Sequence, residues 1–149
     1  MKILGIDYGE KRIGLALSDE IGIIASPIPT LKVKSISDAV SKIYRIAKRQ
    51  NVNKIILGLP LNSKGDETKQ SIQTRYFADS LKSTNGVDIE FRNEAYSTKQ
   101  ARKSIRKGSK KKNLDSEAAR IILQEYLDSK NQQEKHNTFI PQYNDLLLK

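Results

Sequence analysis

A mixed sheet of five strands with helices on its faces, an α/β architecture, is predicted by three observations. Short apolar runs separated by turn residues fill the chain as far as Leu31, as in an antiparallel meander. Lys54 to Leu59 is a continuous apolar run, the mark of a parallel strand covered on both sides. Stripes of helical period alternate with strands from Ser35 onward.

The elements follow in order. Ile3, Leu4 and Ile6 make a short strand ending at Asp7, and after the turn Tyr8-Gly9-Glu10-Lys11 a second strand alternates Ile13, Leu15 and Leu17 with Gly14, Ala16 and Ser18. A third is expected from Gly22 to Leu31, with Pro27 and Pro29 confining it to an edge. Ser35 or Ser37 caps a helix whose Ala39, Val40, Ile43, Ile46 and Ala47 share one face. After the parallel strand and a Pro-Asn-Gly loop, a helix from near Asp66 to Lys82 is expected to turn Ile72, Tyr76, Phe77 and Leu81 inward.

Val87, Ile89 and Phe91 then alternate with charged residues in a strand that ends beside Glu94. Ser97 and Gln100 match a capping box for a short helix to about Lys107. A Lys-rich linker leads to the strongest stripe of the chain, Ala118, Ala119, Ile122, Leu123, Tyr126 and Leu127, whose helix starts near Asp115. Residues 1–129 therefore read as one domain, and the mostly polar residues 130–149 as a C-terminal tail.

Composition narrows the chemistry. The chain of 149 residues carries 27 Lys and Arg against 17 Asp and Glu, a formal charge of +10, which favours polyanionic partners. The absence of cysteine excludes disulfides, thiolate zinc sites and cysteine nucleophiles. No stretch approaches the roughly 20 apolar residues of a membrane span, and the apolar run before Asp7 is far shorter than a signal-peptide core. A cytoplasmic protein with no membrane partner is expected.

Parallel strands put their carboxyl ends at one edge, where open α/β sheets bind ligands. Asp7 and Glu94 fall at that edge, and Asp115 shares a helix face with the core positions 119 and 122. Singly, Asp7 reads equally well as a turn residue, Glu94 as a solvated loop charge and Asp115 as an N-cap. Jointly, three carboxylates supply hard oxygen ligands for Mg²⁺ or Mn²⁺, with water and a phosphate completing the coordination. Arg102, Lys103, Arg106, Lys107, Lys110, Lys111 and Lys112 lie between Glu94 and Asp115, and Lys11 and Arg12 stand beside Asp7, where they can meet a phosphate or pair with Glu10. Asn62, in the loop before a helix, is a further phosphate candidate, although an ordinary β-to-α connection has the same look. His136 reads as a surface residue.

Four segments, GIDYGEKRIGLALSD (5–19), GLPLNSKG (58–65), NEAYST (93–98) and LDSEAARIILQEYL (114–127), together resemble the YqgF (RuvX) family. The resemblance implies an RNase H-like fold, kinship with Holliday-junction resolvases and a nuclease maturing the 5′ end of pre-16S rRNA. It carries the catalytic acids onto Asp7, Glu94 and Asp115. Where the family usually reads Asp-Glu-Arg, this chain has Asn93-Glu94-Ala95, so the acid stays while a neighbouring carboxylate and guanidinium are lost; Lys99 or Arg102 is placed to restore the positive charge.

The expected function is metal-dependent hydrolysis of structured RNA, a ribosomal precursor above all. Two alternatives stand beside it: cleavage of branched DNA, which needs two active sites and hence a dimer, and a non-catalytic RNA-binding role in assembly or transcription. A monomer or weak homodimer is expected. A sugar-kinase or actin-like ATPase also begins with an Asp-x-Gly hairpin, but it needs a second lobe that 149 residues do not provide.

Overall fold

A computed structural model describes residues 1–94 and 114–147. In chain order the elements are β1 (Lys2–Asp7), β2 (Arg12–Ser18), β3 (Ala25–Lys32), α1 (Ile36–Arg49), β4 (Val52–Leu59), α2 (Lys69–Asn85), β5 (Asp88–Asn93) and α3 (Leu114–Leu147). The sheet runs β3-β2-β1-β4-β5, antiparallel from β3 to β1 and parallel from β1 through β4 to β5. The expected mixed sheet is thus present, with β3 at one edge, where its two prolines are tolerated.

Strand periodicity sorts the core into two layers. Leu4, Ile6, Leu15, Ile55 and Leu57 point to the face covered by α1 and α2, where they meet Val40, Ile43, Phe77 and Leu81. Ile3, Ala16 and Ile56 point the other way, against Ala119, Ile122, Leu123 and Leu127 of α3. The uninterrupted Ile55-Ile56-Leu57 run serves both layers, which is why it lacks polar alternation.

Ser35 caps α1 and accepts a bond from the Asp38 amide, as the sequence predicts. The phase of α2 differs from the expectation. The helix starts at Lys69, and Ser71, Thr74, Phe77, Ala78 and Leu81 face inward, while Ile72 and Tyr76 are exposed at 61% and 65%. Ser71 and Thr74 tolerate the interior because their hydroxyls donate to the backbone carbonyls of Thr68 and Gln70.

α3 runs from Leu114 to Leu147, so the same helix spans the boundary between the expected domain and the expected tail. The expected helix from Ser97 to Lys107 lies outside the described residues. Among the described residues no helix is long and apolar enough to cross a membrane.

Candidate active site

Two adjacent rows of residues cross the sheet at its carboxyl edge. One is Leu15, Ile6, Leu57 and Phe91, held side by side by the strand register and turned toward α1 and α2. The next step along the strands reads Gly14, Asp7, Gly58 and Arg92 and faces α3, with Asp7 opposite Gly14 and Gly58 opposite Arg92. One residue of register therefore changes an apolar layer into a row built around a carboxylate.

The two glycines explain how the other acids enter. A Cβ on Gly14 would lie 1.8 Å from the Asp115 carbonyl oxygen, so only glycine lets the first turn of α3 rest on the strand beside Asp7. A Cβ on Gly58 would lie 2.0 Å from Glu94 Oε1 and 2.6 Å from Ile122 Cδ1, so the Glu94 carboxylate occupies the space a side chain would fill. The Glu94 amide, donating to the Leu59 carbonyl at 3.1 Å, extends the parallel ladder and fixes where that side chain begins. Asp7 and Glu94 are 6% and 8% exposed. Sequence reasoning passed over both glycines. The available signal was Gly58 inside an otherwise continuous apolar strand, which marks a close approach of another group.

Asp115 is more accessible, its side chain 27% exposed, and Oδ2 lies 3.5 Å from Arg12 Nε. Arg12 thus pairs across the fold with Asp115 and not with its neighbour Glu10. The three acids share one face and one edge, but among the described residues no three His, Cys, Asp or Glu side chains form a closed metal-binding group. The Asp115 carboxylate is turned onto a cation of the chain itself.

The donor chemistry nonetheless suits a hard divalent ion, since all three groups are carboxylates and two of them are buried where added positive charge is favoured. The bare strand at Gly58 admits the Glu94 carboxylate, and that at Gly14 admits the main chain that carries Asp115.

Tyr8, directly after Asp7, points to the opposite layer and stacks on Phe77 with ring centroids 4.5 Å apart. Burial, and then the charge of Glu10, raise its hydroxyl pKa, so it stays protonated at neutral pH. On that side a cleft of about 370 Å³ opens between Tyr8, Glu10, Lys34 and the exposed Ile72 and Tyr76, away from the row of acids.

Asn62, the phosphate candidate of the loop before α2, is exposed. Its side-chain oxygen accepts the amides of Lys64 and Asp66, both at 2.9 Å, and the start of α2 is closed by Thr68, which accepts the Ser71 amide and donates to the Pro60 carbonyl. Lys11 is exposed at the β1–β2 turn. Lys99, Arg102, Lys103, Arg106, Lys107, Lys110, Lys111 and Lys112 lie outside the described residues.

A mixed sheet of this order, with acids at the ends of β1 and β5 and at the start of a covering helix, defines an RNase H-like fold. The solved RuvC structure of Thermus thermophilus superimposes with a TM-score of 0.57 at 11% identity, covering 89% of this chain and 97% of that one. The fowlpox virus Holliday junction resolvase gives 0.54 at 17% identity, covering 87% and 99%.

Within that fold the sequence is more specific. The family model described as "RuvX: Holliday junction resolvase" matches residues 1–129, and the chain belongs to the RuvX family. Membership brings the reaction class, hydrolysis of phosphodiester bonds in nucleic acid. A protein of Dictyoglomus thermophilum named "Putative pre-16S rRNA nuclease" is 37% identical over 134 residues, covering 87% of this chain and 96% of its own length. A relative of the same name from Chloroflexus aurantiacus is 33% identical over 148 residues, covering 96% and 97%.

Proposed function

We propose that the protein is a divalent-cation-dependent nuclease acting on structured RNA, with a precursor of 16S rRNA as its substrate, and that it serves ribosome biogenesis in the cytoplasm. The observation that carries this reading is the row Gly14-Asp7-Gly58, in which two absent side chains admit Asp115 and Glu94 on either side of Asp7. The relatives named for pre-16S rRNA supply the substrate.

In this reading Asp7, Glu94 and Asp115 hold Mg²⁺ or Mn²⁺. When bound, the ion lowers the pKa of a water and stabilises charge on the scissile phosphate. The chain supplies the rest. Asp7 holds its place because β1 is paired on both sides, and Glu94 because its amide is tied to Leu59. Asp115 would hold the ion in place of Arg12, and the exposed Arg12 guanidinium would then be available to a substrate phosphate. Lys11 and the basic run from 102 to 112 hold phosphates and so position the strand without reading its sequence.

The test is incubation of the purified protein with a pre-16S rRNA fragment and with a four-way DNA junction, each with Mg²⁺ or Mn²⁺. The expected result is ion-dependent RNA cleavage that Asp7→Asn abolishes while RNA binding is kept or tightened. Unchanged turnover in Asp7→Asn overturns the assignment. The family description favours a second reading, incision of branched DNA, which predicts paired nicks on the junction by a dimer. The Arg12–Asp115 pair and the Asn93-Glu94-Ala95 segment would suit a non-catalytic binder, for which no ion-dependent product appears.

A further inference from the structure

Ser116, next to Asp115, is 4% exposed, and its hydroxyl lies inside the sheet. The β2–β3 ladder is irregular there: Ile13 faces Leu31 and Leu15 faces Ile28, so two steps on β2 meet three on β3. Such a bulge disrupts the local ladder. The Ser116 hydroxyl stands between the parted groups, donating to the Ile28 carbonyl at 2.7 Å and accepting the Leu15 amide at 3.3 Å. Thr30 Oγ1 is 2.9 Å away. A serine has one hydrogen to give, and Ile28 takes it, so Thr30 is the donor in this last pair and the hydroxyl is fully used.

From this arrangement we propose that Ser116 is the positioning residue for Asp115: its hydroxyl, locked into the bulge, sets the start of α3 over Gly14 and thereby the direction from which the Asp115 carboxylate reaches the metal. The inference rests on the metal-binding reading above. Partners that orient a ligand in this way are commonly worth about 10- to 100-fold in metal affinity.

A second tether of α3 provides the control. Gln124 accepts the Ala25 amide at 2.9 Å and donates to the Ile23 carbonyl at 2.8 Å, holding the helix to the β2–β3 side at a point remote from Asp115. Both Ser116→Ala and Gln124→Ala remove a helix-to-sheet anchor, but only the first lies beside a proposed ligand.

Mn²⁺ binding is measured by calorimetry on the full chain without nucleic acid, well below each variant's melting temperature. Ser116→Ala is expected to weaken Mn²⁺ about tenfold or more, and Gln124→Ala to stay within about twofold of wild type. Thr30→Val, which deletes the donor to Ser116 while keeping the volume, is expected to move affinity in the same direction by less, and it carries the test if Ser116→Ala does not fold. Wild-type affinity in these serine and threonine variants overturns the inference, as does equal weakening by Gln124→Ala, which would mean general loosening of the helix. If Asp115→Asn loses the ion and Ser116→Ala keeps it, only this inference falls. If the wild type binds no Mn²⁺, and Asp7→Asn and Asp115→Asn match it, the metal reading falls as well.

Discussion

The two faces of the sheet differ most where they are closest. Under α1 and α2 the edge row is Leu15, Ile6, Leu57 and Phe91, and Tyr8 continues the layer by stacking on Phe77. Under α3 the neighbouring row holds one carboxylate between two glycines. The first face fills its volume with side chains and so supplies stability. The second gives up volume at the same edge, and the space goes to Asp115 and Glu94. Pleating is what allows both in adjacent residues, because consecutive side chains never compete for one face.

The sharpest way to break this comparison is to damage each face separately. Phe77→Ala, in the filled layer, is expected to cost about 3–5 kcal/mol of folding free energy, read by urea denaturation, with cleavage per folded molecule retained. On the opposite side, Gly58→Ala drives a methyl into the Glu94 carboxylate. A displacement of that kind is expected to lower cleavage about 100-fold, while overpacking costs only about 1–3 kcal/mol of stability. If Gly58→Ala cleaves like wild type, the row is not the reactive edge.

A smaller effect is expected from Arg12→Ala. It leaves Asp115 without its Arg12 ion pair and removes the phosphate contact proposed for Arg12, so the slope of log affinity for RNA against log salt should shrink by about one, measured by filter binding over a salt series. An unchanged slope would restrict Arg12 to the ion pair with Asp115.

The smallest effect is expected far from both rows, at Asp19 in the β2–β3 turn. Its Oδ1 accepts the amides of Ile24 and Ile23, which hold its pKa below the ordinary value of 3.8. A carboxylate depressed in the folded state stabilises above its unfolded pKa and loses that contribution as pH falls through the folded value. The melting-temperature gap between wild type and Asp19→Ala should therefore be present at neutral pH and close on acidification below 3.8. A gap independent of pH would mean the turn is held by something other than the charge.

Local pattern made much of the architecture legible. The continuous run of β4, the alternation of β2 and β5 and the Ser35 cap each state their own conformation, and strand ends placed Asp7 and Glu94 on one edge before any packing was known. What stayed hidden depends on residues far apart in sequence. Arg12 had Glu10 as its nearby choice and took Asp115. Ser116 bonds residues about a hundred positions away, which no window along the chain reveals. The phase of α2 was misjudged because Ile72 and Tyr76 look like core, whereas Ser71 and Thr74 satisfy their hydroxyls within the helix and turn inward. A glycine's contribution to the candidate site is an absence, visible only once its neighbours are in place.

Gly14 and Gly58 have a last consequence. The space each leaves is already taken, at Gly14 by the Asp115 main chain and at Gly58 by the Glu94 carboxylate. The approach of α3 and of Glu94 to the sheet depends on that omission. It is also fragile in one direction, since either codon can drift only toward something larger.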